Sequence, residues 1–291
     1  MAFITGIKRF AIHDGDGIRT TVFFSGCPLH CLWCHNPENI ERRPQLMFYR
    51  HKCRKCGKCA EICPCHVVTE KEHLLRREHC IFCGKCADVC PAEALTLTGG
   101  EKDNAAIIGA LLRDREFYET SGGGITLSGG ECLCQPSACR ELLRAMKEEG
   151  ISTAVDTCGF VPREAIETVF CDTDVFLYDI KAYDEEVHIR CTGKSNRRIL
   201  DNLQYILARG GRVEIRFPYV PGYNSDQPEK IARFLAEQPP VLRVRVLPYH
   251  HFAASKYDAL GMRNTLPPTL PRAEELEQVR SVFRSYGLIC E

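Results

Sequence analysis

The chain has 291 residues, and its 38 Lys and Arg balance 38 Asp and Glu. A formally neutral chain gives no electrostatic reason to expect a nucleic-acid or anionic-membrane partner. Its 26% charged and 44% hydrophobic residues argue against disorder, and no apolar run (Ile107 to Leu112 is among the longer) approaches the ~18 residues of a membrane helix.

At the N-terminus, Lys8 and Arg9 follow the apolar residues, the reverse of a signal peptide. Arg19 to Ser25 (RTTVFFS) reads as a short buried strand, β-branched and aromatic. Cysteines follow: a triplet at Cys27, Cys31 and Cys34, then nine more between Cys53 and Cys90. Past that cluster a strand at Ile125 to Leu127 leaves a Gly122-Gly123-Gly124 turn. Pro136 opens a helix whose apolar face is Cys139, Leu142, Leu143 and Met146, and Gly150 ends it. Strands at Ile151 to Val155, Val175 to Ile180, Arg212 to Phe217 and Leu242 to Leu247 then alternate with helices near Arg163 to Val169, Leu200 to Ala208 and Glu229 to Ala236. A last helix spans Ala273 to Tyr286. Six strands separated by helices imply parallel βαβ units, in a doubly wound sheet or an open (β/α) barrel. The pattern alone does not choose. In both, chemistry collects at the C-terminal ends of the strands.

The chain has 19 cysteines. An odd count without a secretion signal argues against a disulfide framework and for a reducing, cytoplasmic setting. Two runs, Cys53-x2-Cys56-x2-Cys59-x3-Cys63-Pro64 and Cys80-x2-Cys83-x2-Cys86-x3-Cys90-Pro91, have the two-cluster ferredoxin spacing, in which the fourth cysteine of each run ligates the other cluster. This assigns Cys53, Cys56, Cys59 and Cys90 to one 4Fe–4S cluster, and Cys80, Cys83, Cys86 and Cys63 to a second. CxxC also suits zinc, but two four-cysteine runs each ending in Cys-Pro favour clusters. Residues 47–99 would form a small insert that the clusters help fold. Residues 1–46 and 100–291 would form the main domain. The triplet offers three thiolates, enough for a 4Fe–4S cluster with one iron open to another ligand. Its spacing alone equally suits a zinc or redox site completed by a distant cysteine. Cys65 lies outside the pattern and reads as a bystander; Cys132, Cys134, Cys139, Cys158, Cys171, Cys191 and Cys290 fit no motif and read as buried small apolar residues.

The surroundings of the triplet decide its reading. Gly15-Asp16-Gly17-Ile18-Arg19, Phe23, Gly26-Cys27, Cys31, Cys34 and His35-Asn36 together resemble the signature of the radical S-adenosylmethionine (radical SAM) enzymes that activate glycyl radical enzymes. The resemblance continues through Gly122-Gly123-Gly124, Gly129-Gly130-Glu131, Asp156-Thr157, Asp179-Ile180-Lys181, Arg216 with Pro221-Gly222, and Leu247-Pro248-Tyr249-His250. It covers nearly the whole chain, and the insert matches the longer members of that family. What it implies is an α/β fold: a partial (β/α)6 barrel with a ferredoxin-like insert, carrying three 4Fe–4S clusters. Cys27, Cys31 and Cys34 would hold the cluster that binds S-adenosylmethionine. Trp33 and His250 would lie on the adenine side, and His35 would be a further contact to the cofactor. Backbone groups of Gly129, Gly130 and Glu131 would meet the methionine moiety, and Lys181 would face its carboxylate. Asp156, Asp179 and Ile180 would lie close by, Asp156 near the ligand or a monovalent cation. The implied activity is reductive cleavage of S-adenosylmethionine, with hydrogen-atom abstraction from a glycine of a partner enzyme. Flavodoxin or ferredoxin would supply the electron. Two alternatives are a radical SAM enzyme acting on a small molecule and a ferredoxin-type electron-transfer protein. The latter leaves the triplet and the residues beyond the insert without a role.

Overall fold

The computed structural model describes every residue from Met1 to Glu291. Strand β1 (Ala2–Ala11) runs antiparallel to β2 (Arg19–Phe24), and the triplet loop follows β2. Strand β3 (Gln45–Phe48) leads outward into helix α1 (Lys58–Ile62), the hairpin β4 (His66–Val68) and β5 (His73–Leu75), and helix α2 (Lys85–Asp88). Strand β6 (Leu95–Thr98) returns antiparallel to β3. Next come β7 (Gly100–Lys102), α3 (Asn104–Leu112), α4 (Arg115–Ser121) and β8 (Gly124–Gly129). The remaining elements are α5 (Pro136–Glu148), β9 (Ser152–Thr157), α6 (Arg163–Phe170), β10 (Val175–Asp179), α7 (Glu185–Thr192), α8 (Arg197–Ala208), β11 (Val213–Tyr219), α9 (Pro228–Ala236), β12 (Arg243–Pro248), α10 (Ala254–Leu260) and α11 (Ala273–Ser285). None of the helices is long and apolar enough to cross a membrane.

One eight-stranded sheet has the order β12-β11-β10-β9-β8-β2-β1-β7. The six strands expected from the sequence are its parallel part: β2, β8, β9, β10, β11 and β12 pair in that order. β1 and β7 extend it antiparallel, and the sequence pattern marks neither as a strand. β12 and β7 end the sheet without pairing to each other, so the barrel is open. The outer edge of β12 is covered by the C-terminal tail: Val244 N–H donates to the Ile289 carbonyl at 2.7 Å, and Val246 N–H to Glu291 at 3.1 Å. Covering an edge in this way blocks pairing with another chain.

Each parallel strand alternates. Val22, Phe24, Ile125, Leu127, Val155, Phe176, Tyr178, Val213, Ile215, Phe217, Val244 and Val246 belong to the main apolar core with the helices. The alternate positions face the lumen and are mostly polar: Arg19 bonds to Thr126, Ser128 and Arg216 to Asp156, and Arg216, Arg243 and Arg245 to Glu214, while Asp179 pairs with Lys181. Helix α5 shows how the outer face is made. Pro136 sits in its first turn, and Cys139, Leu142, Leu143 and Met146 are fully buried. Burying a side chain such as Leu contributes about 1.5–3 kcal/mol, so Leu142→Ala at this face would cost about 2–5 kcal/mol.

The Gly15 to Arg19 stretch works at the base of the sheet, far from the triplet. Arg19 Nε donates to Thr126 Oγ1 at 2.7 Å and its Nη2 to the Ser152 carbonyl at 3.2 Å, tying the starts of β2, β8 and β9 together. Gly17 passes Gly123 so closely that a Cβ would lie 2.4 Å from its nitrogen.

The insert is joined through the β3–β6 pair, so its neck begins at Gln45. Its own core is small: Leu46, Phe48, Cys59, Cys86, Ala94 and Leu95. Thiols make up a third of that set, so the insert has little apolar burial of its own without metal.

Candidate active site

The carboxyl ends of the six parallel strands surround a cavity of about 230 Å³. Cys27, Cys31, Trp33, Cys34 and His35 close one side of it, and Gly129, Gly130, Asp156, Asp179 and Lys181 lie on the others. All three triplet thiols line this cavity, a donor set that fits an iron–sulfur cluster with one iron left to another ligand. All 19 cysteines are free. Burial pushes the Cys34 thiol up to about 12 and raises Cys31 further. A hydrogen bond with Cys158 lowers Cys27. Metal binding therefore displaces protons from at least two buried thiols.

The loop carrying the thiols is pinned from across the sheet. His30 N–H donates to the Thr192 carbonyl and Leu32 N–H to that of Cys191, each at 2.9 Å. Thr265 Oγ1 donates to the Leu32 carbonyl at 3.0 Å, Tyr257 Oη to that of Cys34 at 3.2 Å, and Lys256 Nζ to that of His35 at 3.1 Å. Trp33 is buried, packs with Val187 and Val220, and also lines the cavity.

Gly129 and Gly130 need to be glycine. Gly129 has φ 124°, and a Cβ there would lie 2.2 Å from the Phe24 carbonyl; one at Gly130 would lie 2.5 Å from those of Gly26 and Asn39. The Gly130 and Glu131 amides are already engaged, donating to Phe24 and Gly26 at 2.8 Å each. The Gly130 carbonyl has no partner within the chain, so this turn can accept from a donor such as an ammonium group. Glu131 lies outside the cavity wall and is fully buried. Its carboxylate accepts from Leu133 N–H at 3.0 Å, Cys158 N–H at 2.8 Å and Thr157 Oγ1 at 2.9 Å. It is a brace behind the loop.

Two cationic and two anionic side chains face the cavity. Lys181 Nζ lies 2.5 Å from Asp179 Oδ2. Burial works against the Lys181 charge, but Asp179 and nearby thiols more than offset this and raise its pKa. Burial pushes the Asp156 carboxyl up to about 6, although Arg216 lies 3.6 Å away and Ser128 Oγ donates to it at 2.6 Å. A balanced pair of each sign suits a zwitterionic ligand. Ile180 is in the apolar core and does not reach the cavity. His250 sits just outside the wall, stacked on His35 with centroids 4.0 Å apart, while its neighbour Tyr249 lines the wall. Cys158, Ser128 and Arg216 line the cavity without having been assigned a role from sequence. Cys134 and Cys171 are exposed, which corrects the reading that every unmatched cysteine is buried; Cys132 and Cys139 are fully buried.

In the insert a second cavity is lined by Cys53, Cys56, Cys59 and Cys90, so the last cysteine of the second run reaches the first three of the other. Cys63 lies close enough to Cys86, together with Cys80 and Cys83, to raise its pKa after burial, to about 11.

Comparison with known proteins fits this geometry. The profile of the Radical SAM superfamily matches residues 77–235. The choline trimethylamine-lyase activating enzyme of Oleidesulfovibrio alaskensis is 39% identical, over 98% of this chain and 96% of that protein. The trans-4-hydroxy-L-proline dehydratase activating enzyme of Clostridioides difficile is 40% identical over 97% and 96%. The benzylsuccinate synthase activating enzyme of Thauera aromatica is 37% identical over 89% and 81%. Among solved structures, a domain of pyruvate-formate lyase-activating enzyme from Bacteroides vulgatus aligns with TM-score 0.50 and 28% identity, over 58% of this chain and 98% of that one. Streptococcus suis SuiB bound to precursor peptide SuiA aligns with TM-score 0.58 at 13% identity, over 91% and 45%, a likeness of fold.

Proposed function

We propose roles for the individual residues on the premise that this chain belongs to the radical SAM superfamily and, within it, to the glycyl radical enzyme activating enzymes. Its activity is the reductive cleavage of S-adenosylmethionine and the creation of a radical on a glycine of a partner glycyl radical enzyme. A 4Fe–4S cluster with one iron free of protein ligand, when bound, supplies the electron and a binding position for the methionine end of S-adenosylmethionine. Cys27, Cys31 and Cys34 would hold it, and the observation that carries this reading is their convergence on a strand-end cavity of balanced charge.

The chain's own residues bind, orient and exclude water. The Gly130 carbonyl accepts from the ligand's ammonium. Lys181 meets its carboxylate with a charge-assisted hydrogen bond, held in place by Asp179. Trp33 and the stacked pair His35 and His250 flank the adenine side. Asp156 lies below, where a cationic centre or a bound monovalent cation would be stabilised. Two further 4Fe–4S clusters would be held by Cys53, Cys56, Cys59 and Cys90, and by Cys80, Cys83, Cys86 and Cys63, in the insert of residues 47–99. That unit stands outside the main sheet, which supports a relay for electrons from flavodoxin or ferredoxin. The free thiols support a reducing cytoplasmic setting.

The partners named by the relatives differ, so the partner is found by test. Anaerobic protein with S-adenosylmethionine and a reductant is mixed with choline trimethylamine-lyase, trans-4-hydroxy-L-proline dehydratase or benzylsuccinate synthase. A glycyl radical signal in one mixture names the partner class. Cleavage of S-adenosylmethionine without a radical on any glycyl radical enzyme would overturn the protein-substrate reading.

A further inference from the structure

The two cysteine runs of the insert build the same backbone twice. Lys55 (φ 55°) and Gly57 (φ 79°) in the first loop are matched by Phe82 (φ 54°) and Gly84 (φ 79°) in the second. In each, an amide turns back on the first thiol: Lys55 N–H to Cys53 Sγ and Phe82 N–H to Cys80 Sγ, both at 3.4 Å. A short helix then carries the third cysteine, Cys59 in α1 and Cys86 in α2. Through the third cysteine the two loops follow one backbone path.

The side chains break that equivalence. His73 on β5 brings Nδ1 to 3.2 Å from Cys53 Sγ and Nε2 to 3.7 Å from Cys59 Sγ. Behind it, His66 Nδ1 lies 2.8 Å from His73 Nε2. The two rings are only 4% and 5% exposed. No histidine bonds to Cys63, Cys80, Cys83 or Cys86.

The proton positions follow from the chemistry. A metal-bound thiolate only accepts, and Cys53 Sγ at 3.2 Å is nearer to the ring than Cys59 Sγ at 3.7 Å, so His73 Nδ1 carries the proton. In the neutral ring Nε2 is then an acceptor, and His66 Nδ1 must donate to it. That leaves His66 Nε2 as a bare acceptor, and this atom is buried without a partner. Reversing the chain would leave an orphaned N–H there, and buried unpaired N–H groups are rarer than under-satisfied acceptors. Cys59, His66 and His73 also place ligand atoms within 4.8 Å of one another. Two imidazole nitrogens on one tetrahedral zinc would stand about 3.3 Å apart, given Zn–N of about 2.0–2.1 Å. At 2.8 Å they share a proton instead of an ion.

We infer that His73, oriented by His66, donates a hydrogen bond to the Cys53 thiolate of the cluster held by Cys53, Cys56, Cys59 and Cys90, and so makes that cluster the higher-potential member of the insert's pair. Hydrogen bonds to cluster sulfurs stabilise the reduced, more negative state. The pair then has a direction: an electron shared between the two clusters resides on the His73 side.

The inference depends on the cluster assignment proposed above, and one experiment separates the two. The full chain with Cys27, Cys31 and Cys34 all changed to Ala is reconstituted anaerobically, its iron is counted, and it is titrated potentiometrically with EPR detection. About eight irons per chain uphold the assignment; markedly fewer overturn the assignment and with it the inference. With about eight irons present, His73→Phe in this background should lower the higher of two potentials and leave the other in place. A tenfold change in the ratio of oxidised to reduced cluster corresponds to about 59 mV. Two unchanged potentials, or a fall in the lower one, overturn the inference. If His73→Phe loses iron, His66→Phe decides, because it keeps every cysteine and removes only the orienting partner: a smaller fall in the higher potential supports the inference, and no change overturns it.

Discussion

Glu131 closes the Gly-Gly-Glu turn, yet its carboxylate faces away from the cavity and holds the main chain behind it. Glu131→Ala leaves two buried amides, Leu133 and Cys158, without acceptors and frees the Thr157 hydroxyl. Each unsatisfied buried donor costs about 1–3 kcal/mol, so the loss is about 2–6 kcal/mol. That is a large part of the 5–15 kcal/mol typical of a folded protein. Glu131→Gln keeps one carbonyl acceptor and should lose about 1–2 kcal/mol. Urea unfolding of the iron-loaded protein, followed by far-ultraviolet circular dichroism, reads the difference. With a slope of about 1–3 kcal/mol per molar urea, the Ala variant's midpoint should fall by about 1 M or more and the Gln variant's by less. A Glu131→Ala variant that unfolds at the wild-type midpoint yet loses S-adenosylmethionine binding would refute the bracing role. That result would make the carboxylate a ligand contact.

Three further outcomes are expected. Anaerobic reconstitution should approach about twelve irons per chain; changing Cys27, Cys31 and Cys34 to Ala should remove about a third of them and all S-adenosylmethionine cleavage, and retained cleavage would rule out the catalytic role. Lys181→Ala removes a charge-assisted hydrogen bond of about 1.5–3 kcal/mol, so anaerobic calorimetry should show S-adenosylmethionine bound roughly ten- to a hundredfold more weakly at unchanged iron content, while exposed Lys194→Ala binds like wild type. If ionised Asp156 favours the bound state, affinity should be full above its value of about 6 and fall as pH drops through it, because protonation then competes with binding; Asp156→Asn should flatten this dependence between pH 8 and 5.5, and an unchanged slope would place the titrating group elsewhere.

The parallel strands were legible because each is a short β-branched or apolar run between helices with a clear apolar face; Cys139, Leu142, Leu143 and Met146 on α5 are one case. β1 and β7 escaped because neither needs a continuous apolar run: β7 (Gly-Glu-Lys) ends the sheet and pairs only with Ala2 to Ile4, so the rest of β1, which carries Gly6, Lys8 and Arg9, has no strand on its outer side. At the site, strand ends pointed to Asp156, Asp179 and Lys181. Ile180 shows the limit of that reasoning, since a side chain one position along points to the other face. Arg216 could have been found from β11, where Glu214 and Arg216 alternate with Val213, Ile215 and Phe217, a strand whose charged face must meet a polar lumen. Cys158 gave no signal, because a lone cysteine after a strand has no spacing to read. The bracing role of the Glu131 carboxylate gave no signal, because its partners Leu133, Thr157 and Cys158 meet it only in the fold.

The loop from Cys27 to His35 is held at its main chain by groups from three separate stretches of the fold, Cys191–Thr192, Lys256–Tyr257 and Thr265, and none of those bonds involves a thiol. Its shape does not depend on what the thiols bind. The insert is the opposite case, with a small core of which a third is its own cysteines. The two kinds of address therefore fill by different routes. On the cluster assignment proposed above, iron would enter a socket already in place at the strand ends, with mainly thiol protons to release. In the insert, assembly of the clusters and ordering of the chain would be one event, so the outer pair would be the later and more easily reversed addition.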